Sequence, residues 1–264
     1  MKTGPKHGNI LGIRLDSTRK EKLLSEIRSK LESKEKFYIV TPNPEIVLVA
    51  TNDWLLRKTI LRSSFSVPDG IGLKFAYKFL HNEDVEVIKG RELFLDILKI
   101  ANEMNLRVYF MGGENNEAEL AMNKLKNIYP KIAFKTYHKF PKYTLMGQPA
   151  SENDKNLHRK IIGNIKLFEP DLIFVGLGCP KQEKWIYRNI YRMKFQSSAM
   201  VVGGTFKFIA GLSKLPPKWL ASLGLEWLWR VIHEPKRIIR IWNAVLVFSV
   251  RIVIAKLFEH RFKS

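Results

Sequence analysis

Through the first 205 residues, short apolar runs alternate with stretches whose apolar positions recur every three to four residues. The strand-length runs lie at 10–14, 37–41, 65–67, 107–111, 132–135, 171–175 and 199–202. Helical periodicity covers about 17–33, 45–50, 54–62, 71–80, 91–104, 115–128, 153–166 and 181–193. This alternation predicts an α/β fold, Rossmann-like, with a mostly parallel sheet and helices on both faces. Ligands of such sheets bind beyond the carboxyl ends of the strands. The segment 141–152, with Pro141, Gly147, Pro149 and Ser151, reads as a loop or lid inside the domain, because the alternation resumes after it.

From Lys218 onward the pattern is helical only. The expected organisation is a catalytic body over 1–215 and a helical appendage over 216–264. Pro235 suits the first turn of a helix. On that helix Arg237, Arg240 and Arg251 share a narrow face, and Ile238, Ile241, Trp242, Val245, Phe248 and Ile252 a broad one beside it. Its longest uncharged run, 241–250, is ten residues, against the roughly 20 that a membrane span needs. Such a helix could lie in a lipid interface or pack on its own domain, and the pattern favours neither.

Charge sharpens this picture. The 264 residues carry 45 Lys and Arg against 25 Asp and Glu, a net +20. Residues 206–264 hold 11 of the basic and 3 of the acidic residues, and four of the six tryptophans: Trp219, Trp227, Trp229 and Trp242. Basic and aromatic residues together suit an anionic membrane surface or nucleic acid. With no nucleic-acid module, and with aromatics grouped with aliphatics, a nucleic-acid partner is the remote reading. The single cysteine, Cys179, excludes an intrachain disulfide framework and fits a reducing, cytoplasmic setting. No apolar stretch follows the start, so no signal peptide is expected.

Four strand-end loops carry residue types suited to chemistry. Thr41-Pro42-Asn43-Pro44-Glu45 supplies short hydrogen-bonding side chains, and capping of a helix accounts for them equally. Val67-Pro68-Asp69-Gly70 presents a carboxylate in a rigid turn, as a general base requires, although Pro-Asp-Gly turns are common. Gly112 and Gly113 would let a phosphate approach a helix start, or serve only a tight turn. Gly176–Trp185 runs from a buried strand through Gly178 into a helix bearing Gln182 and Glu183 in its first turn. Gly203 and Gly204 close the last strand. No histidine pair has metal-ligand spacing, so neither a catalytic metal nor any other cofactor is expected. Cys179 is not expected to be a nucleophile.

In order, Thr-Pro-Asn-Pro-Glu (41–45), Pro-Asp-Gly-Ile-Gly (68–72), Gly-Leu-Gly-Cys-Pro-Lys-Gln-Glu-Lys-Trp (176–185), Gly-Gly-Thr-Phe-Lys-Phe-Ile-Ala-Gly (203–211) and Leu-Glu-Trp-Leu-Trp-Arg (225–230) resemble the WecG/TagA/CpsF family, glycosyltransferase family 26. The resemblance covers about 9–242. It implies inverting, metal-independent transfer of a sugar, N-acetylmannosamine or its uronic acid among them, from a UDP-sugar to a polyprenyl-diphosphate-linked saccharide. The place is the inner face of the cell membrane, in teichoic acid or other surface-polysaccharide synthesis. It implies Asp69 as the base, Thr41, Asn43 and Gln182 as pocket residues, and Arg230, Arg237 and Arg240 as arginines completing the site at the membrane. Gly70, Gly112, Gly113, Gly178, Glu183, Gly203, Gly204 and Lys207 complete the expected substrate-binding set. Oligomeric state, a homo-oligomer included, is left open.

Two positions depart from the family pattern. Lys207 stands where the family usually has Asp, and Val87 where it commonly has Arg, with Arg91 the nearest substitute. The charge reversal supports a rival reading, a catalytically silent member that binds a UDP-sugar or polyprenyl phosphate. The retained Asp69 and Gln182 favour an active enzyme.

Overall fold

The computed structural model describes residues 7–114, 116–191, 196–214, 216–217, 220, 229 and 242–261. The chain opens with an antiparallel hairpin, β1 (His7–Ile10) and β2 (Ile13–Asp16). The run at 10–14, expected as one strand, folds back because Leu11 and Gly12 both take positive φ. Two-residue hairpin turns of this kind need that conformation. A leucine in the first position hides the turn from a reading of the sequence.

Six strands then form one parallel sheet: β3 (Tyr38–Val40), β4 (Phe65–Ser66), β5 (Arg107–Gly112), β6 (Ala133–Thr136), β7 (Leu172–Gly176) and β8 (Ser198–Val201). Their spatial order is β4–β3–β8–β7–β5–β6. The helices are α1 (Lys20–Glu32), α2 (Pro44–Asn52), α3 (Trp54–Leu61), α4 (Ile71–His81), α5 (Gly90–Glu103), α6 (Glu117–Ile128), α7 (Glu152–Phe168), α8 (Lys181–Ile186) and α9 (Thr205–Ile209). α8 continues as a π turn, Tyr187–Tyr191. A second π turn, Asn243–Val247, leads into α10 (Phe248–Arg261).

The strands alternate with period two, and both faces are buried, as parallel sheets require. Tyr38, Val40, Tyr109, Met111, Ile173, Val175, Ala199 and Val201 pack with α2, α4, α7 and α8. Ile39, Val108, Phe110, Leu172, Phe174 and Met200 pack with α1, α5 and α6 on the other side. Phe94, Phe110, Phe174 and Phe206 meet there as one aromatic cluster.

The 141–152 segment is tied down. The buried Lys184 pairs with Asp53 at the start of α3 and donates to the Leu145 carbonyl at 2.9 Å, and Arg188 donates to the Met146 carbonyl at 3.0 Å. Gly147 lies so close to α8 that a Cβ would come within 2.9 Å of Lys184.

α10 joins the same core. Phe248 and Ile252 are buried in the cluster shared with α2 and α4. Arg251, read on one narrow face with Arg237 and Arg240, donates to the Thr51 hydroxyl at 2.9 Å, and Lys256 donates to the Leu80 carbonyl in the last turn of α4. The opposite side of α10 carries Val250, Val253, Ile254, Leu257 and Phe258 into solvent. The helix is apolar on both sides, with one face packed on the domain and the other exposed.

Candidate active site

The strand-end loops meet along the carboxyl edge in the order of the sheet: Asp69 after β4, Thr41 and Asn43 after β3, Gly203 and Gly204 after β8, Gly178 after β7, Gly112 and Gly113 at the end of β5. Adjacent strands stand about 4.8 Å apart, so β4 and β7 are separated by about 14 Å along this rim.

Asp69 is held from both ends. Its N–H donates to the Pro42 carbonyl at 2.8 Å, tying the loops after β4 and β3 together. The Ile88 N–H donates to the Pro68 carbonyl at 3.1 Å, which draws in the start of α5. The side chain then lies at that helix's N-terminus, where the Gly90 N–H approaches Oδ2 at 3.4 Å. A Cβ on Gly90 would meet Thr41 Oγ1 at 3.3 Å and Asp69 Oδ2 at 3.4 Å. A hydroxyl and a carboxylate from neighbouring strands therefore flank one point. Gly70, at φ 102°, makes the turn into α4.

Asn43 caps α2, its Oδ1 accepting from the Ile46 N–H at 2.9 Å. Capping thus engages this side chain's oxygen.

The glycines divide into two kinds. A Cβ on Gly112 would lie 2.8 Å from the Gly176 carbonyl, and one on Gly113 3.0 Å from the Glu117 Cβ. Their smallness serves the packing of β5 against β7 and the turn into α6. Gly178 and Gly203, both at positive φ, face open space. Their loops leave room for a ligand.

Beneath those two loops lie Gln182 and Glu183, 4% and 1% exposed. Gln182 Oε1 accepts from the Gly203 N–H at 3.0 Å, and its Nε2 donates to Glu183 Oε1 at 2.9 Å. Glu183 Oε2 is buried without a hydrogen-bond partner. Burial pushes the Glu183 carboxyl up to about 6, against the Gln182, Cys179 and Lys184 contacts that favour its charged form. Glu183, expected in the substrate-binding set, is buried against Gln182.

Lys207 is half-buried on α9, which packs on α6. There its charge acts on Glu117, whose carboxyl is raised mainly by burial and lowered by Lys207. Glu117 Oε2 accepts from the Glu114 N–H at 3.2 Å. This carboxylate was missed in the sequence, where only its place in the first turn after Gly112-Gly113 could have marked it. The Arg91 guanidinium sits 5.7 Å from the ring of Phe208, bringing a second cation to the edge of α9. Val87 is half-buried immediately before Ile88.

Arg230, Arg237 and Arg240, with Trp219 and Trp227, lie outside the described residues. Among the described residues no three His, Cys, Asp or Glu side chains gather as metal ligands, and no helix is long and apolar enough to cross a membrane. A cavity of about 460 Å³ opens at the opposite, amino end of the sheet, lined by Lys30, Lys34, Glu35, Arg107, Glu169 and Asp171 among others. Its charges pair with one another, as Lys30 with Glu35 and Arg107 with Glu169, and none of the candidate residues reaches it.

The model of the "Glycosyl transferase WecG/TagA/CpsF family" matches residues 8–262. The chain is similar to the N-acetylglucosaminyldiphosphoundecaprenol N-acetyl-beta-D-mannosaminyltransferase of Staphylococcus aureus strain MW2, with 34% identity over 251 residues, 94% of this chain and 92% of the relative. Proteins of the same name from strains NCTC 8325 and MRSA252 match to the same extent. The match runs from the first hairpin to the last helix and takes in every strand-end loop of the rim: this chain belongs to the WecG/TagA/CpsF family of glycosyltransferases.

Proposed function

We propose that this chain transfers N-acetylmannosamine from a UDP-linked donor to N-acetylglucosaminyl-diphosphoundecaprenol, with inversion at the anomeric carbon. It does so at the inner face of the cell membrane, in building a surface polymer. The reading is supported by near-full-length similarity to transferases of that name. The observation that carries it is the Asp69–Thr41 pair fixed around Gly90 at the start of α5.

An inverting transfer needs one carboxylate to take the proton of the acceptor hydroxyl as that oxygen attacks the anomeric carbon. Asp69 fills this role, in a turn whose backbone is anchored on Pro42 and whose side chain is met by the Gly90 N–H. Thr41 offers a hydroxyl beside it to orient the incoming sugar. The departing UDP diphosphate needs positive charge or N–H groups. Arg91 and Lys207 bring cations to the α5 and α9 side of the rim, and Arg230, Arg237 and Arg240 add to them when the appendage docks.

The acceptor is a lipid, and the surface beside Asp69 suits one. Ile71, Phe75 and Phe79 recur every four residues on α4 and are exposed, Phe75 by 67%. α10 packs against α4 and adds Val250, Val253, Ile254, Leu257 and Phe258. This apolar face begins two residues after the base, so docking it on a bilayer brings the polyprenyl headgroup to Asp69.

The test is UDP release with a panel of UDP-sugars, each with and without N-acetylglucosaminyl-diphosphoundecaprenol. UDP-N-acetylmannosamine should give acceptor-dependent release. Failure of every UDP-sugar in the panel to release UDP, or release indifferent to the acceptor, would overturn the reading. Binding of donor without release would favour the silent member that Lys207 suggests.

A further inference from the structure

Gln182 and Glu183 are consecutive residues of one short helix, both buried, and together they link the loops after β7 and β8. The Gln182 amide has two chemically different ends that are nearly equal in shape. Only hydrogen bonding decides which end faces Gly203. In the observed arrangement Oε1 accepts from the Gly203 N–H and one Nε2 hydrogen goes to Glu183 Oε1. Among the described residues no other bond to this amide occurs, which leaves its second Nε2 hydrogen without a protein acceptor.

We infer that Glu183 is a positioning residue, whose ionised carboxylate fixes the Gln182 amide in the orientation that presents an N–H donor to the donor diphosphate or sugar. An ionised Glu183 can only accept a hydrogen bond, so the amide must turn Nε2 toward it. A protonated Glu183 gains an O–H donor. It can then draw the amide oxygen toward itself and away from the Gly203 N–H, which reverses the end shown to the pocket. The second carboxylate oxygen, buried without a partner, makes the ionised form easy to protonate. Burial accordingly raises this carboxyl to about 6. The ionisable groups that act on it are the Cys179 thiol before α8 and the Lys184 ammonium beside it, itself paired with Asp53 on the α3 side.

The binding half of this inference rests on the UDP-sugar reading, and the orientation half does not. Two measurements keep them apart. The first follows the Gln182 side-chain amide in ¹⁵N NMR spectra of the free full chain from pH 5 to 8, assigned by its loss in Gln182→Leu. The resonance should shift through about pH 6 in the wild type and stay fixed in Glu183→Gln, which keeps an acceptor but cannot ionise. The second measures UDP-N-acetylmannosamine affinity, because its diphosphodiester does not titrate over that range. Wild-type affinity should fall about tenfold from pH 8 to pH 5, Glu183→Gln should be flat, and Glu183→Leu, lacking the acceptor, should bind at least about tenfold more weakly at pH 8. An amide insensitive to pH in the wild type, or the same shift in Glu183→Gln, overturns the inference. A titrating amide with no donor binding at any pH upholds the orientation and overturns the UDP-sugar reading.

Discussion

Two carboxylates stand on one rim in opposite surroundings. Asp69 is half-buried after β4, in a rigid turn at the N-terminus of a fourteen-residue helix. Glu183 is buried after β7, with one oxygen on Gln182 and the other on nothing. The first position can hand a proton to and from a bound hydroxyl. The second is buried against Gln182, whose amide it orients in the inference drawn above. The proposed function assigns the β4 side, continuous with the exposed α4 and α10 surface, to the lipid acceptor and the β7–β8 side to the donor.

Asp69→Asn keeps the shape and removes the basicity, so turnover should fall by roughly 10²–10⁴ while UDP affinity stays within a few fold. Steady-state kinetics beside calorimetric UDP binding checks this. Near wild-type turnover would remove Asp69 from its role.

A second variant tests the division of the rim. Replacing Phe75 and Phe79 together by Ser removes apolar surface worth about 1.5–3 kcal/mol per ring if both rings bury in lipid. Liposome binding should fall tenfold or more, and KM for the lipid-linked acceptor should rise while KM for the donor holds. An equal rise in both would mean that α4 supports the fold rather than the membrane contact.

On the donor side, Lys207→Asp restores the charge common in the family and places it against Glu117. Relative kcat/KM among UDP-sugars should shift by about tenfold or more, equivalent to about 1.4 kcal/mol of differential transition-state binding. An unchanged ratio across the donor panel would show that the charge of Lys207 acts on Glu117 and not on the donor.

The smallest effect is thermodynamic. The folded-state pKa of Glu183, about 6, lies above its ordinary value of 4.5. The folded protein therefore holds a proton that the unfolded chain has lost between these values, and ionising Glu183 lowers stability above about pH 6. The shift corresponds to a penalty of about 2 kcal/mol, which fades as pH falls from 6 toward 4.5. Glu183→Gln should gain in Tm over the wild type at pH 8, and that gain should shrink by pH 5. A difference in Tm independent of pH would show that Glu183 is ionised equally easily in both states.

Much of this was legible from the chain. Alternating runs announced a parallel sheet because both faces are buried, and Pro68-Asp69-Gly70 announced a rigid carboxylate because proline and glycine leave the turn little choice. Gly112 looked like Gly178, yet the carbonyl of Gly176 on a neighbouring strand sets the first and open space surrounds the second. One-dimensional patterns cannot separate these causes. Glu117 and Lys207 meet only because α6 and α9 pack, ninety positions apart in sequence. The Leu11–Gly12 turn carried a residue that turns seldom use. The helical period of α10 displayed its apolar positions but not that Phe248 and Ile252 would enter the core while Val253 and Leu257 would not.

The most direct test of the account is mass spectrometry of the lipid formed from N-acetylglucosaminyl-diphosphoundecaprenol and a mixed pool of UDP-sugars, with wild type and Asp69→Asn side by side. One added N-acetylhexosamine, drawn from UDP-N-acetylmannosamine, is expected on the wild-type product and almost none with Asp69→Asn. A lipid left unextended by the wild type, or extended equally by both proteins, would contradict it.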